Sequence, residues 1–342
     1  MMQGKGSAKG VFWGISLIVA VVLLAVFNVV HGSVDIPARE VMAILSGKGC
    51  NNGAWQFIVL ESRLPQTATA VLAGASLAVS GLLLQTAFRN ALAGPDIFGI
   101  SSGASLAVAI VMFVLGGTFS AGTYALGGFV AVMAGAFLGA MAVTGIIFFF
   151  STLVRNNVML LIIGIMIGYL ASSTISLLNF MASSEGVKQY VMWGMGSFGN
   201  VTIRQLPYFA ILSGLGLILA LLLVKPLNAM LLGEEYAESL GVNTRRMRHM
   251  LLGVTGLLTA ITTAACGPVA FIGLATPHIA RLLLSTANHR QLLPVTMLLG
   301  AAIALCCNAV CYLPEDGMIP LNSVTPLIGA PVIIYVITQK RN

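Results

Sequence analysis

Apolar runs of about twenty residues recur along the whole chain, and they are apolar all round, with no single apolar stripe. Leu160–Leu178 is representative, carrying no charged residue over its whole length. A hydrocarbon core ~30 Å thick takes about 20 apolar residues per helix. Inside lipid every backbone polar group must be satisfied within the protein, so these runs are predicted to be membrane-spanning helices. The period-2 alternation of a membrane β-barrel is missing. Composition agrees, because 58% hydrophobic and 8% charged residues leave too little polar surface to coat a water-soluble globule of 342 residues.

About ten spans are predicted, near Val11–Val30, Leu64–Phe88, Ile97–Leu115, Ala121–Phe150, Val158–Phe180, Ile203–Val224, Met250–Ala270, Ala275–Ser285, Leu292–Tyr312 and Val324–Thr338. The fold class is therefore all-α, a polytopic bundle forming one transmembrane domain over residues 1–342. Lys5 and Lys9 precede the first span as in a signal peptide, but the apolar run is too long and lacks a small-x-small cleavage site, so an uncleaved helix is expected. With the N-terminus cytoplasmic, Arg89, Arg155, Lys225, Arg245, Arg246, Arg248, Arg281, Arg290, Lys340 and Arg341 all fall inside, against Arg39, Lys48, Arg63, Lys188 and Arg204 outside. Both termini are then cytoplasmic. The net charge of +7 is scattered over short loops without aromatic interleaving, which argues against nucleic acid.

Little chemistry resides in the chain. Cys266, Cys306, Cys307 and Cys311 lie in apolar runs where Cys acts as a small hydrophobe, Cys50 stands alone, and no spacing matches a metal site. No phosphate-binding loop is present, no nucleophile and base are paired, and no carboxylate falls within a predicted span, Asp96 being placed at a cytoplasmic end. Active transport would need energy from another subunit.

The longest charged stretch is LLGEEYAESLGVNTRRMRHM, Leu231–Met250, between two apolar spans. Glu234, Glu235 and Glu238 fall at i, i+1 and i+4 of a short helix that Gly241 ends before the basic run, an order that suits the helix dipole. A solvated connector and a docking helix are both compatible with it. At Arg89–Asp96, Pro95 must stop the preceding helix, which is sufficient reason for a structural turn. Asn156-Asn157 suits a helix cap, and Gly164-x-x-x-Gly168 suits close helix packing, with Ser172, Ser173, Thr174 and Ser176 following. Gly267-Pro268 and Thr276-Pro277-His278 flank a segment too interrupted for one straight span, and with Gly94-Pro95 they suggest a core of broken helices. His278 is expected to serve packing or a helix end.

Five stretches in order carry a resemblance. They are Arg63-Leu64-Pro65, GLLLQTAFRNALAGPDIFGISSGASLA from Gly81, the Leu231–Met250 segment, CGPVAFIGLATPHIARLLLSTANHRQLLP from Cys266, and TPLIGAPVIIYVI from Thr325. Together they resemble the FecCD family, permeases of ATP-binding-cassette importers for iron-siderophores, haem and cobalamin. The resemblance implies ten transmembrane helices per subunit, working as a dimer, most simply a homodimer, in the bacterial cytoplasmic membrane. It further implies two cytoplasmic ATPase subunits that carry the ATP and Mg, a substrate-binding protein at the outer face, and no cofactor on this chain, which is not itself an enzyme. Import of a metal chelate by alternating access is the implied function; the alternative is a stand-alone secondary carrier or channel.

The same resemblance implies site residues. Within the coupling segment 231–249, Gly233, Glu234, Glu235, Ala237, Leu240, Gly241, Arg245 and Arg246 would meet the ATPase. Asn90, Leu92, Asn156 and Asn157 would form a cytoplasmic gate, and Gly164, Gly168, Ser172, Ser173 and Ser176 would line the pathway. Glu61 and Arg63 would dock the binding protein. The family usually shows Asn-Pro-Leu-Ala, an acid and Pro at the gate turn, whereas Ala91 and Gly94 stand here. Gln66 replaces a second Arg after Arg63-Leu64-Pro65, and around Pro314–Asn322 Glu315 and Asp316 lie upstream of the family position, with Met318 before Ile319-Pro320 and Asn322 after Leu321.

Overall fold

Each of the predicted spans has a helix beneath it in the computed structural model, which describes residues 2–48, 50, 52–114, 119–121, 124–126, 128–154, 156–313 and 317–339. Arg155, Glu315, Asp316, Lys340 and Arg341 lie outside the described residues, as do the side chains of Glu234 and Asn157. The protein is an all-α polytopic membrane protein. Among the described residues six helices are long and apolar enough to cross a membrane, seven if one bent pair counts as a span, and three shorter apolar helices add to these.

In chain order these are α1 (Met2–Val30), α2 (Ala38–Leu45), α3 (Gly53–Phe57), α4 (Leu64–Ala87), α5 (Ile100–Phe113), α6 (Gly128–Leu153), α7 (Asn157–Met181) and α8 (Ser184–Gly194). The second half holds α9 (Leu206–Leu222), α10 (Val224–Leu231), α11 (Glu234–Ser239), α12 (Thr244–Cys266), α13 (Ile272–Leu284), α14 (His289–Cys311) and α15 (Leu321–Gln339). The fourth span begins later than expected, because β1 (Phe119–Ala121) pairs antiparallel with β2 (Tyr124–Leu126) before α6 starts.

The most buried spans are α4, with α3 and a π-helical turn ahead of it, at 83%, and α12 at 78%. The π turn over Ile58–Arg63 lies immediately before Pro65, whose missing N–H cannot serve the carbonyl four residues back. Helices in lipid gain little from hydrophobic burial against one another, so close backbone approach through small residues matters more. A Cβ built on Gly74 would lie 2.3 Å from the Gly300 oxygen, and one on Gly300 would lie 2.4 Å from the Gly74 oxygen, which locks α4 onto α14. The tightest contact joins α4 to α13: a Cβ on Gly81 would sit 1.6 Å from the Gly273 oxygen. Pro277, inside α13, has no N–H to offer that same carbonyl, so the oxygen left free by one residue is accommodated by the missing side chain of another.

Two of the apolar helices at the heart of the bundle are too short to cross. At 14 and 13 residues, α5 and α13 are each about 20 Å long, against a hydrocarbon core of ~30 Å. Both start from a left-handed residue, Gly99 at φ 71° and Phe271 at φ 68°, and neither has a side-chain cap hydrogen bond. The second differs from the sequence expectation, because α13 starts at Ile272 and runs straight through Thr276-Pro277. Between α9 and α10 the chain bends by 48°. Pro226 explains this, since it cannot donate to Leu222, where α9 ends.

Candidate functional site

At one end of the bundle, the short helix α11 stands between α10 and α12. Its C-terminus closes with the Gly241 N–H on the Glu238 carbonyl at 2.9 Å and the Val242 N–H on the Ala237 carbonyl at 3.0 Å. This paired closure needs a left-handed residue, which Gly241 supplies at φ 82°. Gly233 enters the helix at φ 126°, again a conformation that a side chain would strain. Asn243 then caps α12 by accepting from the Arg246 N–H at 2.8 Å, so the acidic helix ends and the basic one begins where the sequence indicated.

The residues expected to meet the ATPase, together with Tyr236, divide into two groups. Glu235, Tyr236, Leu240, Gly241 and Arg246 are exposed, with Leu240 at 58%. Ala237 is fully buried and cannot touch a partner; it is the foot on which the helix rests. Arg245 is exposed but donates to the Thr152 carbonyl at the end of α6, 3.0 Å away, and Glu238 accepts from the Thr244 hydroxyl at 2.6 Å. These two fasten the segment to the bundle.

The turn after α4 holds Asn90, whose side-chain oxygen accepts the Leu92 N–H at 2.9 Å, and Leu92 projects 43% exposed. His278 donates from Nε2 to the Ala91 carbonyl at 2.7 Å, a helix-side clamp in keeping with the packing role expected of it. Gln85 accepts from Arg281 at 2.5 Å and donates to the Leu274 carbonyl at 3.2 Å, adding two more ties to α13. The turn reaches deeper than its sequence suggested. Pro95 and Leu77 both pack against Gly273, which places the turn level with Leu77–Gly81 and roughly 10 Å inside the end of α4. Asp96, expected at a cytoplasmic end, is thus set back from the end of α4, with its side chain exposed. Its carboxylate accepts from the Ser101 hydroxyl at 2.8 Å and from the Phe271 N–H, joining the N-terminal ends of the two half-length helices α5 and α13. Negative charge is favoured at both of those ends.

Helix α7 is only 17% buried as a span. Ser172, Ser173 and Ser176 lie on its exposed side, together with Tyr169, Leu177 and Phe180. Gly164 does not join them. A Cβ there would meet the Phe98 Cα at 2.8 Å, and one on Gly99 would meet the Gly164 oxygen at 2.9 Å and the Gly168 nitrogen at 3.2 Å. The Gly164-x-x-x-Gly168 pair therefore seats the turn after α4 against α7, the close-packing role, with Gly164 buried and Gly168 half-buried. Asn156 caps α7, accepting from Val158 at 2.8 Å and Met159 at 3.4 Å.

At the other end of the bundle, Glu61 is exposed but Arg63 is not. Only 5% of Arg63 is accessible, and its guanidinium donates to the carbonyls of Val29 at 3.1 Å, Val30 at 2.6 Å, and Val34. The last carbonyls of α1 lack helical partners, and a cation suits that helix end. Arg63 is thus the C-terminal cap of α1 and is not presented for docking. Gln66, where a second Arg was expected, is also internal: it donates to Asn308 at 2.9 Å and to the Tyr312 hydroxyl at 2.7 Å, while Asn308 donates to Asn28 at 2.7 Å.

Sequence reasoning missed Asn322 as a structural clamp and noted it only as a departure. Its amide donates to the carbonyls of Gly194 at 2.8 Å and Pro268 at 2.7 Å and accepts from the Ala270 N–H at 3.3 Å. This ties α8, the loop before α13 and the start of α15 together. A polar residue directly after a Pro-x pair at a helix start was the available signal.

A family model described as the FecCD transport family matches residues 18–339. The hemin transport system permease HmuU of Yersinia pestis is 33% identical over 95% of this chain and 95% of its own. The vitamin B12 import permease BtuC of Klebsiella pneumoniae is 33% identical over 99% and 96%, and the molybdate import permease MolB of Haemophilus influenzae is 32% identical over 95% of both chains. Among solved structures, an inward-facing candidate metal-chelate-type ABC transporter superposes with a TM-score of 0.82 at 30% identity, covering 95% of this chain and 98% of that one. A stand-alone carrier gives way to these findings. The chain is a multi-pass protein of the bacterial inner membrane and belongs to the FecCD transport family, as the non-catalytic permease subunit of an ATP-binding-cassette importer.

Proposed function

We propose that two copies of this permease, with two cytoplasmic ATPase subunits and an outer binding protein, import a metal chelate of the haem, cobalamin or iron-siderophore type by alternating access. Each chain acts as one transmembrane domain with both termini cytoplasmic, which places α11 on the ATPase side and Glu61 on the outer side. The observation that carries the reading is the shape of α11: a six-residue helix, footed on buried Ala237, turns Glu235, Tyr236 and Leu240 outward. A small helix closed by glycine at both ends and exposed on one side suits insertion into a groove on a partner. The relatives' cargoes include haemin and vitamin B12, and also molybdate, so chelate import is the majority reading and an oxyanion is its competitor.

The ATPase assignment is tested with Glu235→Lys combined with Leu240→Asp, which leaves the fastening residues Ala237, Thr244 and Arg245 untouched. The variant is expected to reach the membrane normally yet to lose ATPase co-purification and ATP-driven uptake. Normal uptake would overturn the assignment. Proteoliposome uptake of haemin, cobalamin, a ferric siderophore and molybdate separates the cargo classes, and accumulation of molybdate alone would overturn the chelate reading.

A further inference from the structure

The coupling helix is separated from the gate turn by one short element, α10, and α10 is linked to the end of α4 by two routes, one through His289 of α14 and one direct from Arg89 in the turn itself. The Asn228 side-chain oxygen accepts two hydrogen bonds from His289, one from its backbone N–H at 2.8 Å and one from ring Nδ1 at 3.1 Å. A backbone N–H can only donate, so it fixes which end of the Asn228 amide is oxygen, and Nδ1 must then carry the ring proton. In the neutral ring Nε2 is consequently an acceptor, and the Thr86 hydroxyl, equidistant at 2.9 Å from Nε2 and from the Leu82 carbonyl, donates to the ring when its one proton is turned that way. The Asn228 amide nitrogen completes the set by donating to Asn288 at 2.9 Å. His289 is 1% exposed, so this chain from α10 through α14 to α4 runs through the interior.

The second bond lies one helical turn away. Arg89 donates to the Met230 carbonyl at 3.2 Å, and a Cβ on Gly233 would be 4.0 Å from the same guanidinium nitrogen. Arg89 adopts φ 47°, a conformation disfavoured for a residue with a side chain, immediately before Asn90. Beside these ties, Leu227 and Met230 are buried at 0% and 2%. The bend at Pro226 frees α10 from the axis of α9, while Thr86 and Arg89 bracket the start of the gate turn. His278 holds that turn from the opposite side, on α13.

We infer that α10 is the strut that carries movement of the coupling helix to the gate turn, with Asn228 and Arg89 as its positioning residues. Buried hydrogen bonds with fixed donors transmit displacement because breaking them leaves unpaired polar groups. The inference rests on the proposal that α11 meets the ATPase.

The test uses the complex of permease and ATPase, with an environment-sensitive fluorescent amino acid at position 92 in place of Leu92. ATP with vanadate should change its emission in the otherwise native complex. Asn228→Ala with Arg89→Ala should keep ATPase co-purification and ATP hydrolysis while reducing the response at position 92 about tenfold, as expected from losing several hydrogen bonds of modest net worth. Asn228→Asp with Arg89 intact retains both acceptor bonds to His289 and should restore most of the response. A full response in the double variant overturns the strut. If the double variant fails to assemble, Asn228→Ala alone against Asn228→Asp decides, and equal responses from those two overturn it. The Glu235→Lys, Leu240→Asp variant separates the two levels: loss of response there, with none lost in the strut variants, sinks the strut alone. A response that survives in all of them, or none in the otherwise native complex, sinks both readings.

Discussion

Arg63 and Glu235 present the same sequence-level argument, a charge next to an apolar span that a partner would meet, yet the structure treats them oppositely. Arg63 is enclosed against three carbonyls at the end of α1, whereas Glu235 stands in the open on a helix whose fastening is done by Ala237, Thr244 and Arg245. The difference lies in the neighbouring backbone. A helix end buried beside a long cation consumes it, because orphan carbonyls have no other donor. A helix that closes its own carbonyls, as α11 does through Gly241, leaves its side chains available. Charge near a membrane span therefore indicates a docking surface only after the adjacent helix ends have been accounted for.

The sharpest way to break this contrast is Arg63→Ala. It strands the carbonyls of Val29, Val30 and Val34 and is expected to cost about 3 kcal/mol or more, read as a lower melting temperature in detergent and reduced membrane yield; a wild-type melting curve would return Arg63 to the docking surface. Asn322→Ala tests whether the interior of the same end depends on polar ties. Losing its bonds to Gly194, Pro268 and Ala270 should destabilise by about 1–3 kcal/mol in the same assay. At the α11 end the effect should be smaller and local. Gly241→Ala strains a residue at φ 82° by about 1 kcal/mol, and is expected to speed amide exchange in α11 while global melting stays put. A large fall in global melting would show that α11 is part of the core after all.

Much of the fold was legible because apolar length is a strong signal in a chain confined by lipid. The helices fall where the apolar runs are, and Gly241 and Asn243 mark the boundary between α11 and α12 as written. The turn after α4 was legible as a stop, through Pro95, but its depth was not. That depth comes from α13 packing on α4 at Gly81 and Gly273, which brings Asp96 between two helix N-terminal ends from what looked like a surface loop. The Gly164 and Gly168 spacing announced close packing correctly, but only the tertiary contact names Phe98 and Gly99 as what they pack against.

The sequence by itself determined the environment, the helices and their breaks. Those follow from local terms: apolar run length, missing N–H groups at Pro95 and Pro226, and glycine at positive φ. Tertiary structure decided which polar side chains are consumed and which are left over. Hydrogen bonds between residues as distant in sequence as Asn28 and Asn308, or Thr86 and His289, depend on which helices meet, and no local pattern encodes that choice.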